Sequence, residues 1–344
     1  MKYDTVLNHT TRFREAVIVT HMNHPSEPLN CKALLSQKTA APTASGKLTF
    51  AGVGTRDVYN IAAPFELKGQ HIIAGRVESR DTEHSESVFF EPHPPSSPAL
   101  GDTEKPATWY PIPDAPVLEH LQDPCIAFIN GELIVGGVRY PIALPSGENI
   151  WRMEFYRGKT LRELKLFFTG PDKMKDIRLK QLADGRIAVL TRPQGEKGGR
   201  GTIGWLVVST LEEITAQAME DAPLFSHHFL PSEWGGANEA HLLRNGKLGV
   251  LGHIAYFDAQ EHRHYYPMVF CVDPATGTAT PPQIIGQRSD FPAGATKRPD
   301  LVDVIFSGGL VRNGDGSATL YAGLSDAEAG WITIPDPFLS FEVR

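Results

Sequence analysis

Cysteine, long apolar segments and surplus positive charge are all scarce in this sequence, and each shortage excludes a class of protein. Three cysteines, Cys31, Cys125 and Cys271, stand far apart in 344 residues, which argues against a disulfide framework or a clustered metal site. No apolar run approaches the roughly 18 residues that a membrane-spanning helix needs. Lys and Arg number 33 against 40 Asp and Glu, and the basic residues are dispersed. We therefore expect neither nucleic acid nor a membrane as a partner.

Helical periodicity is scarce as well. Instead, 32 glycines and 27 prolines punctuate many short segments, a pattern typical of an all-β protein. The apolar fraction of 41% is ample for a packed core. The first residues, Met1 to Asp4, lack the apolar core of a secretory signal, so we expect a cytoplasmic protein.

One pattern recurs along the chain: an apolar strand, a tight turn that contains glycine, and a second apolar strand. Its clearest copy runs from Gln122 to Tyr140 and turns at Asn130-Gly131, a dipeptide that tolerates the positive φ of a hairpin turn. With the turn centred there, Asp123 is predicted to lie beside Arg139 at the open end. Four further copies turn at Lys68-Gly69, Asp184-Gly185, Asn245-Gly246 and Asp315-Gly316.

Five such copies indicate a repeat architecture with one sheet per unit, because a lone hairpin cannot bury its apolar face. Units that close radially form a five-bladed β-propeller, in which the innermost strands surround one axis. We predict a single propeller domain over residues 1–344, with residues 1–47 as an N-terminal cap or closing segment.

The open ends of all five hairpins then point to one end of the axis. The residues that this geometry predicts to converge there are Asn60, Arg76, Asp123, Arg139, Lys175, Asp176, Arg192, Asn238, Glu239, His253, Asp303 and Asp326. Taken singly, each of these residues is as readily a solvated strand end. The recurrence of cations and carboxylates at matched positions favours a binding site.

A carboxylate that faces several cations suits a transfer of phosphate-linked groups. The carboxyl group can deliver a proton to a leaving oxygen, while the cations hold a phosphate. Direct hydrolysis needs a second carboxylate to activate water, and Glu239 and Asp303 keep that alternative open. His21 and His24 are three residues apart, but a third ligand is not evident nearby, so we predict no metal and no cofactor.

Several of these segments resemble a known family in their order along the chain. They are Asp123-Pro124 within its hairpin, Lys175-Asp176, Thr191-Arg192-Pro193, Gly252-His253 and Tyr321-Ala322-Gly323-Leu324-Ser325-Asp326. They resemble the motifs of the inverting β-mannoside phosphorylases, glycoside hydrolase family 130, which are five-bladed propellers. The similarity is closer to the related mannosyltransferase/phosphorylase family, glycosyltransferase family 108, which makes or breaks β-1,2-mannosidic links with GDP-mannose or mannose 1-phosphate.

The resemblance implies a role for each matched residue. Asp123 would be the general acid/base, and Arg139, Lys175, Arg192 and His253 would bind phosphate. The mannosyl ring would be bound by Asn60, Arg76 and Asp326, with Asp176, Asn238, Glu239 and Asp303 as further sugar-binding candidates. The partners implied are a small carbohydrate and phosphate or a sugar phosphate.

The sequence departs from the phosphorylase pattern around the predicted acid. Gln122-Asp123-Pro124-Cys125 stands where the phosphorylases have Glu-Asp-Pro-Arg. A glycoside hydrolase on the same fold and a non-catalytic carbohydrate-binding propeller remain the alternatives, since a fold alone does not determine function.

Overall fold

A computed structural model of the chain describes residues 29–38, 40–93 and 107–343, and His21 and His24 lie outside these ranges. The predicted all-β class is confirmed. The described strands are, in chain order, β1 Ala44–Lys47, β2 Thr49–Phe50, β3 Asp57–Tyr59, β4 Phe65–Leu67, β5 Gln70–Glu78, β6 Ser85–His93, β7 Thr108–Pro111, β8 Leu118–Glu119, β9 Leu121–Ile129, β10 Glu132–Ala143, β11 Asn149–Gly158, β12 Lys165–Thr169, β13 Arg178–Gln181, β14 Ile187–Thr191, β15 Gly204–Val208, β16 Glu233–Leu242, β17 Leu248–Phe257, β18 Arg263–Val272, β19 Gln283–Ile284, β20 Asp303–Arg312, β21 Ser317–Leu324 and β22 Glu328–Pro335.

Helices are short throughout the described ranges. The α-helices are α1 Cys31–Ser36, α2 Gly195–Gly198, α3 Ala216–Asp221 and α4 Leu339–Glu342, and the 3-10 turns are Leu161–Glu163, Leu211–Glu213, Arg288–Asp290 and Pro299–Leu301. None of them has the length and hydrophobicity that crossing a bilayer requires.

The strands form five successive antiparallel runs: β3–β7, β9–β12, β13–β15, β16–β19 and β20–β22. The first three runs lie in separate sheets, whereas the last two share one sheet through a parallel contact in which His264 of β18 pairs with Asp303 of β20. Strand β1 pairs with β22, the last strand of the fifth run. Part of the predicted N-terminal closing segment therefore forms an edge strand on the C-terminal sheet.

Each run packs against the next through its own hydrophobic cluster. One cluster joins the first and second runs, and others join the second to the third, the third to the fourth and the fourth to the fifth. A further cluster joins the fifth run back to the first, with Tyr321 and Ala329 packed among Val58, Ile73 and Phe90. A cyclic series of interfaces of this kind is typical of repeat folds that close on themselves.

Residues from all five runs line an inner cavity of about 140 Å³. Ala62, Cys125, Arg178, Asn238 and Gly308 contribute to its wall, one from each run. The five predicted hairpin turns are confirmed by the strand bounds that flank them. These hairpins therefore gather residues from distant parts of the chain around a common centre.

The predicted pairing of Asp123 with Arg139 is wrong. Arg139 pairs with Leu121, and the register shifts where Asp123 and Pro124 together face Gly137. This β-bulge holds Asp123 in the left-handed region, with φ of 51°, and a side chain at position 137 would collide with Leu121. The bulge re-aims Asp123 away from its strand neighbours, as bulges commonly do beside functional sites.

A left-handed residue or a β-bulge also occurs near the start of each of the other runs. Asn60 and Asp176 have φ values of 44° and 57°, while Asn238 and Gly308 are the extra residues of bulges in β16 and β20. Asn and Asp tolerate the left-handed region better than other non-glycine residues. The inner strands thus direct a set of Asn and Asp side chains toward the common centre.

Gly131 tests whether the central hairpin depends on its left-handed turn. Its φ is 76° and nothing would contact an added Cβ, so Gly131→Ala should cost about 1 kcal/mol of unfolding free energy through backbone strain alone. Gly314 also has open space around it but lacks a positive φ, so Gly314→Ala should cost almost nothing. Urea unfolding of both variants provides the measurement, and equal losses would contradict the strain argument.

Candidate active site

Asp123 lies at the centre of a small group of polar residues. Its Oδ1 atom accepts hydrogen bonds from Asn60 Nδ2 at 2.9 Å and from Arg76 Nη1 at 3.2 Å. Asn60 and Arg76 are buried, while the Asp123 side chain keeps 13% exposure. Three of the residues predicted to converge therefore meet, with the carboxylate as the member open to a ligand.

A buried carboxylate, Glu78, holds Arg76 in place. Its Oε2 atom accepts from Arg76 Nη2 at 2.6 Å and its Oε1 atom accepts from the Tyr59 hydroxyl at 2.7 Å. Ser85 Oγ and Lys297 Nζ also donate to Glu78. Burial opposes ionisation of Glu78, but Arg76 and these hydrogen bonds outweigh it and lower its pKa. Glu78 therefore remains ionised and fixes the guanidinium that contacts Asp123.

Sequence reasoning missed this support. Arg76 and Glu78 are alternate residues of β5, so they share one face of the strand. This spacing is the feature of the sequence from which their pairing could have been predicted. Lys297 lies more than 200 residues away in the chain, and its side chain is 5% exposed. Its Nζ atom also donates to the Thr82 carbonyl and to Glu83, each at 3.0 Å. Its place beside Glu78 follows only from the tertiary structure.

Asp326 is a second carboxyl group close to Asp123. It follows Ser325, and the two residues have φ values of 52° and 54°. Burial, reinforced by the charge of Asp123, raises the pKa of Asp326 despite the opposing effect of Arg76. Asp326 is therefore more easily protonated than an ordinary aspartate.

A second buried group centres on Asp176. Its Oδ2 atom lies 3.4 Å from Arg192 Nε and 3.9 Å from His253 Nε2, and Arg178 Nη2 is 4.0 Å from its Oδ1 atom. Burial opposes ionisation of Asp176, yet Arg192 and the other neighbouring basic groups lower its pKa. Arg178, which the sequence reasoning did not single out, also donates to the Asn238 carbonyl at 2.6 Å.

His253 contributes hydrogen bonding rather than charge to this group. Burial, supported by Arg192 and Lys175 and only partly opposed by Asp176, lowers the pKa of His253 to about 3. The neutral ring donates from Nδ1 to Asn238 Oδ1, 2.8 Å away. His253 is thus a neutral hydrogen-bonding group at physiological pH.

Three buried polar atoms at this centre make no hydrogen bond with any described residue: Asn60 Oδ1, Arg192 Nη1 and Asn238 Nδ2. Such groups are costly to leave unpaired. Arg192 fits closely because Gly201 and Gly236 leave room, and a Cβ at either position would collide with its side chain. Two donors and one acceptor are therefore left without a partner among the described residues of this buried centre.

Lys175 interacts with one group and shares a cleft with the central residue of the other. It lines a cleft of about 310 Å³ together with Asp123, Gln122, Tyr140 and Trp151, and its charge acts on Asp176 and His253. Among the residues described, none forms an ion pair or hydrogen bond with the Lys175 ammonium. An available cation therefore shares a cleft with the carboxylate of Asp123.

Three of the predicted residues form their hydrogen bonds outside the groups around Asp123 and Asp176. Arg139 donates to the Glu119 carbonyl at 2.8 Å, because the bulge shifts its register. Glu239 accepts from Leu310 N–H and from His241 Nε2, at 2.7 and 2.9 Å. Asp303 accepts from His264 Nδ1 at 2.6 Å. Arg139 and Asp303 make no hydrogen bond or ion pair with Asp123, Asp176 or Arg192 in the described chain, whereas Glu239 lines the inner cavity with Arg178 and Asn238.

Residues 36–340 match the family described as protein of unknown function, DUF1861. The chain belongs to the DUF1861 family. No curated protein sequence matches it. Two solved structures from Leishmania mexicana are similar to this DUF1861 protein over most of both chains.

The first of these structures is MPT-4, a mannose phosphorylase in complex with a phosphate ion. It is 37% identical, with 90% of this chain and 92% of that chain covered and a TM-score of 0.78. The second is MPT-1, a GDP-Man-dependent mannosyltransferase, 32% identical, with 89% and 94% covered and a TM-score of 0.76. A structure from the GH130 family of mannoside phosphorylases has a TM-score of 0.55 at 14% identity, with 87% and 96% covered, and shows the fold alone. The resemblance inferred from the sequence motifs is confirmed.

The buried, neutral state of His253 predicts an acid-sensitive fold. The unfolded ring has a pKa of about 6.5 and the folded ring about 3, so the unfolded state binds more protons between these values. His253 should therefore cost about 2 kcal/mol of stability as pH falls from about 6.5 to about 4.5. In His253→Asn this part of the pH dependence should disappear, as measured by urea unfolding at both pH values.

The exposed His71 offers a control for this measurement. His71→Asn should keep the wild-type dependence of stability on pH. A His253→Asn variant with an unchanged slope would contradict the assignment of a neutral buried ring.

Lys297→Met tests the support behind Arg76. It leaves Glu78 buried and short of one partner, which should cost about 3 kcal/mol of unfolding free energy. Lys47 forms a 2.8 Å pair with Glu328 at 36% side-chain exposure, so Lys47→Met should cost less than about 1 kcal/mol. Chemical denaturation distinguishes the two, and similar losses would show that Lys297 has no special role.

Proposed function

We propose that this protein is an inverting β-mannoside phosphorylase or mannosyltransferase. It acts on β-1,2-linked mannosides, with mannose 1-phosphate or GDP-mannose as donor in the synthetic direction. The observation that carries the proposal is the cleft that the Asp123 carboxylate shares with Lys175, whose ammonium forms no ion pair or hydrogen bond with the described residues. The charge of Lys175 also acts on Asp176, which lies 3.4 Å from Nε of buried Arg192. The activities of the two Leishmania relatives support the same class of enzyme.

In phosphorolysis, a phosphate oxygen attacks the anomeric carbon of the terminal mannosyl unit from the face opposite the leaving sugar. The bond between that carbon and the glycosidic oxygen breaks, and the configuration inverts to α-mannose 1-phosphate. The departing oxygen takes the proton of a hydroxyl of the mannosyl ring, that hydroxyl takes the proton of the Asp123 carboxylic acid, and Asp123 is left as a carboxylate. Synthesis runs through the same steps in reverse.

Lys175 and Arg192 hold the phosphate and stabilise its charge. His253 and Asn238 add hydrogen bonds, since His253 is neutral and Asn238 Nδ2 is unpaired. Asn60, Arg76 and Asp326 bind the mannosyl ring, and Arg76 also keeps Asp123 oriented. Phosphate or a sugar phosphate is a co-substrate, and we propose no resident cofactor.

We further propose that the five strand runs are the blades of one propeller domain, with the N-terminal segment closing the ring. The cyclic set of hydrophobic clusters and the inner cavity lined by residues of all five runs support this arrangement. The mouth of the axis then provides one site for both substrates, because each blade contributes a residue that lies at a bulge or in the left-handed region.

The test is incubation of the wild-type protein with β-1,2-mannobiose and phosphate, followed by detection of mannose 1-phosphate and mannose. Synthesis is assayed with mannose and either mannose 1-phosphate or GDP-mannose. Asp123→Asn should lower turnover by about 10²- to 10⁴-fold, the usual range for a lost general acid. Its affinity for phosphate should change little, because Lys175 and Arg192 remain.

Asp221→Asn is the control, because Asp221 is exposed at the end of α3, and it should keep wild-type turnover. Release of mannose at a rate independent of phosphate would identify a hydrolase instead. Wild-type turnover in Asp123→Asn would refute the role given to that residue. Binding of mannobiose with no reaction in either direction would identify a carbohydrate-binding protein.

A further inference from the structure

The inner cavity of about 140 Å³ extends from the proposed active site toward the hairpin turns. Its lining residues follow the site residues along each inner strand. Arg178 and Lys180 come two and four positions after Asp176, and Ala240 comes two positions after Asn238. Because alternate residues of a strand share a face, the cavity continues along the faces on which the site residues lie.

The other end of the cavity lies near the protein surface, close to the turns. Phe65 and Phe128 line the cavity there, with their ring centroids 6.2 Å apart. Phe128 is 41% exposed and lies two residues before the Asn130-Gly131 turn. The described residues that line this cavity differ from those that line the cleft of Asp123 and Lys175. The two spaces are therefore distinct.

The cavity carries a net positive charge. Its charged lining residues in the described chain are Arg178, Lys180 and Glu239. Glu239 Oε2 already accepts from Leu310 N–H and His241 Nε2, at 2.7 and 2.9 Å. Burial opposes ionisation of Glu239, but His241, the Leu310 N–H and Lys180 lower its pKa. One carboxylate that is already engaged by two donors thus shares the cavity with two cations.

Both cations are incompletely paired. Arg178 is 5% exposed, and its Nε and Nη1 atoms donate to the carbonyls of Asn238 and Ile177, at 2.6 and 2.9 Å. Its Nη2 atom makes no hydrogen bond in the described chain and lies 4.0 Å from Asp176 Oδ1, the outer limit of an ion pair. The Lys180 ammonium forms no ion pair or hydrogen bond with the described residues. A buried cation is costly unless an anion or hydrogen bonds compensate it.

Arg178 and Asn238 form the boundary between the cavity and the buried group around Asp176. Both line the cavity, whereas Asp176 and His253 are not among its described lining residues. Asn238 Oδ1 accepts from His253 Nδ1 at 2.8 Å. An ion in the cavity would therefore be close to Arg178 but outside the group to which we assign phosphate binding.

Charge and volume together select the class of ligand. A metal cation would be repelled by Arg178 and Lys180. A single monovalent anion balances the excess positive charge of the lining side chains, whereas a phosphate dianion would add surplus negative charge beside Glu239. At about 30 Å³ per water molecule, the cavity holds one small ion with part of its hydration shell, which reduces the cost of desolvating that ion.

We propose that the inner cavity binds one halide ion between Lys180 and Arg178. The ion compensates the buried guanidinium of Arg178 and is separate from the phosphate that Lys175 and Arg192 hold. Halide binding should therefore stabilise the folded protein without competing with phosphate. This inference goes beyond the proposed function and does not depend on it.

The experiment uses sodium bromide in chloride-free buffer. Urea unfolding of the wild-type protein is followed at increasing bromide concentration, with sodium gluconate at equal ionic strength as the control. The unfolding midpoint should rise and then saturate with bromide but not with gluconate, because gluconate is too large for the cavity. Crystals grown in bromide should show an anomalous scattering peak between Lys180 Nζ and Arg178 Nη2.

Three variants make the test specific. Lys180→Met should weaken bromide binding by about tenfold or more, because a hydrogen bond from a charged group is lost. Ala127→Leu narrows the cavity without changing its charge and should also weaken bromide binding. Lys165→Met removes an exposed lysine of β12 and should keep the wild-type affinity. Phosphate affinity should stay near the wild-type value in all three.

Equal effects of bromide and gluconate on the wild type would overturn the proposal. A peak in the crystals with no saturable effect in solution would indicate an adventitious ion only and would overturn it as well. Undiminished bromide binding in both Lys180→Met and Ala127→Leu would also contradict it. Displacement of bromide by phosphate would show that the cavity belongs to the phosphate site. A protein that binds bromide as expected but catalyses no phosphorolysis or transfer would keep the halide site while the proposed function fails.

Discussion

The site depends on the need to neutralise buried charge. Arg76 and Arg192 are almost inaccessible to water, and a buried guanidinium is tolerated only when carboxylates and hydrogen bonds surround it. Arg76 is held by Glu78 and reaches Asp123, while Arg192 lies beside Asp176. Each pairing leaves one polar group incompletely satisfied by the described residues: the partly exposed carboxylate of Asp123 and the Nη1 atom of Arg192.

The strand architecture makes these pairings possible. Asp123, Asp176, Asn60 and Asn238 come from four different runs, and each lies at a bulge or in the left-handed region. Turned out of the regular pleat, their side chains face the common centre instead of a hydrophobic interface. Glycines supply the space, since Gly137 faces the Asp123 bulge and Gly236 lies against Arg192 and Asp176. Asn60, Asp123 and Asp176 thus carry backbone strain at the common centre.

The pKa values of the acidic groups at this site shift in different directions because their electrostatic surroundings differ. Asp176 and Glu78 are kept ionised by buried cations, whereas burial and the charge of Asp123 favour protonation of Asp326. His253 is neutral because it is enclosed and because nearby cations disfavour its charged form. In the proposed site, a phosphate would meet cations at Lys175 and Arg192 and uncharged hydrogen-bonding groups at His253 and Asn238, which would separate charge stabilisation from orientation.

Local sequence determined the all-β class, the five glycine-containing hairpin turns and the order of the family motifs, because turn chemistry and strand patterning act over a few residues. The meeting of Asn60, Arg76 and Asp123 could also be predicted, since repeated hairpins share one geometry. Only the tertiary structure decided the bulge that separates Asp123 from Arg139, the support of Arg76 by Glu78 and Lys297, and the place of Asp303 in a different cleft. A one-residue bulge leaves little trace in the pattern of apolar residues, and the partner of a buried charge is chosen by packing between segments far apart in the chain.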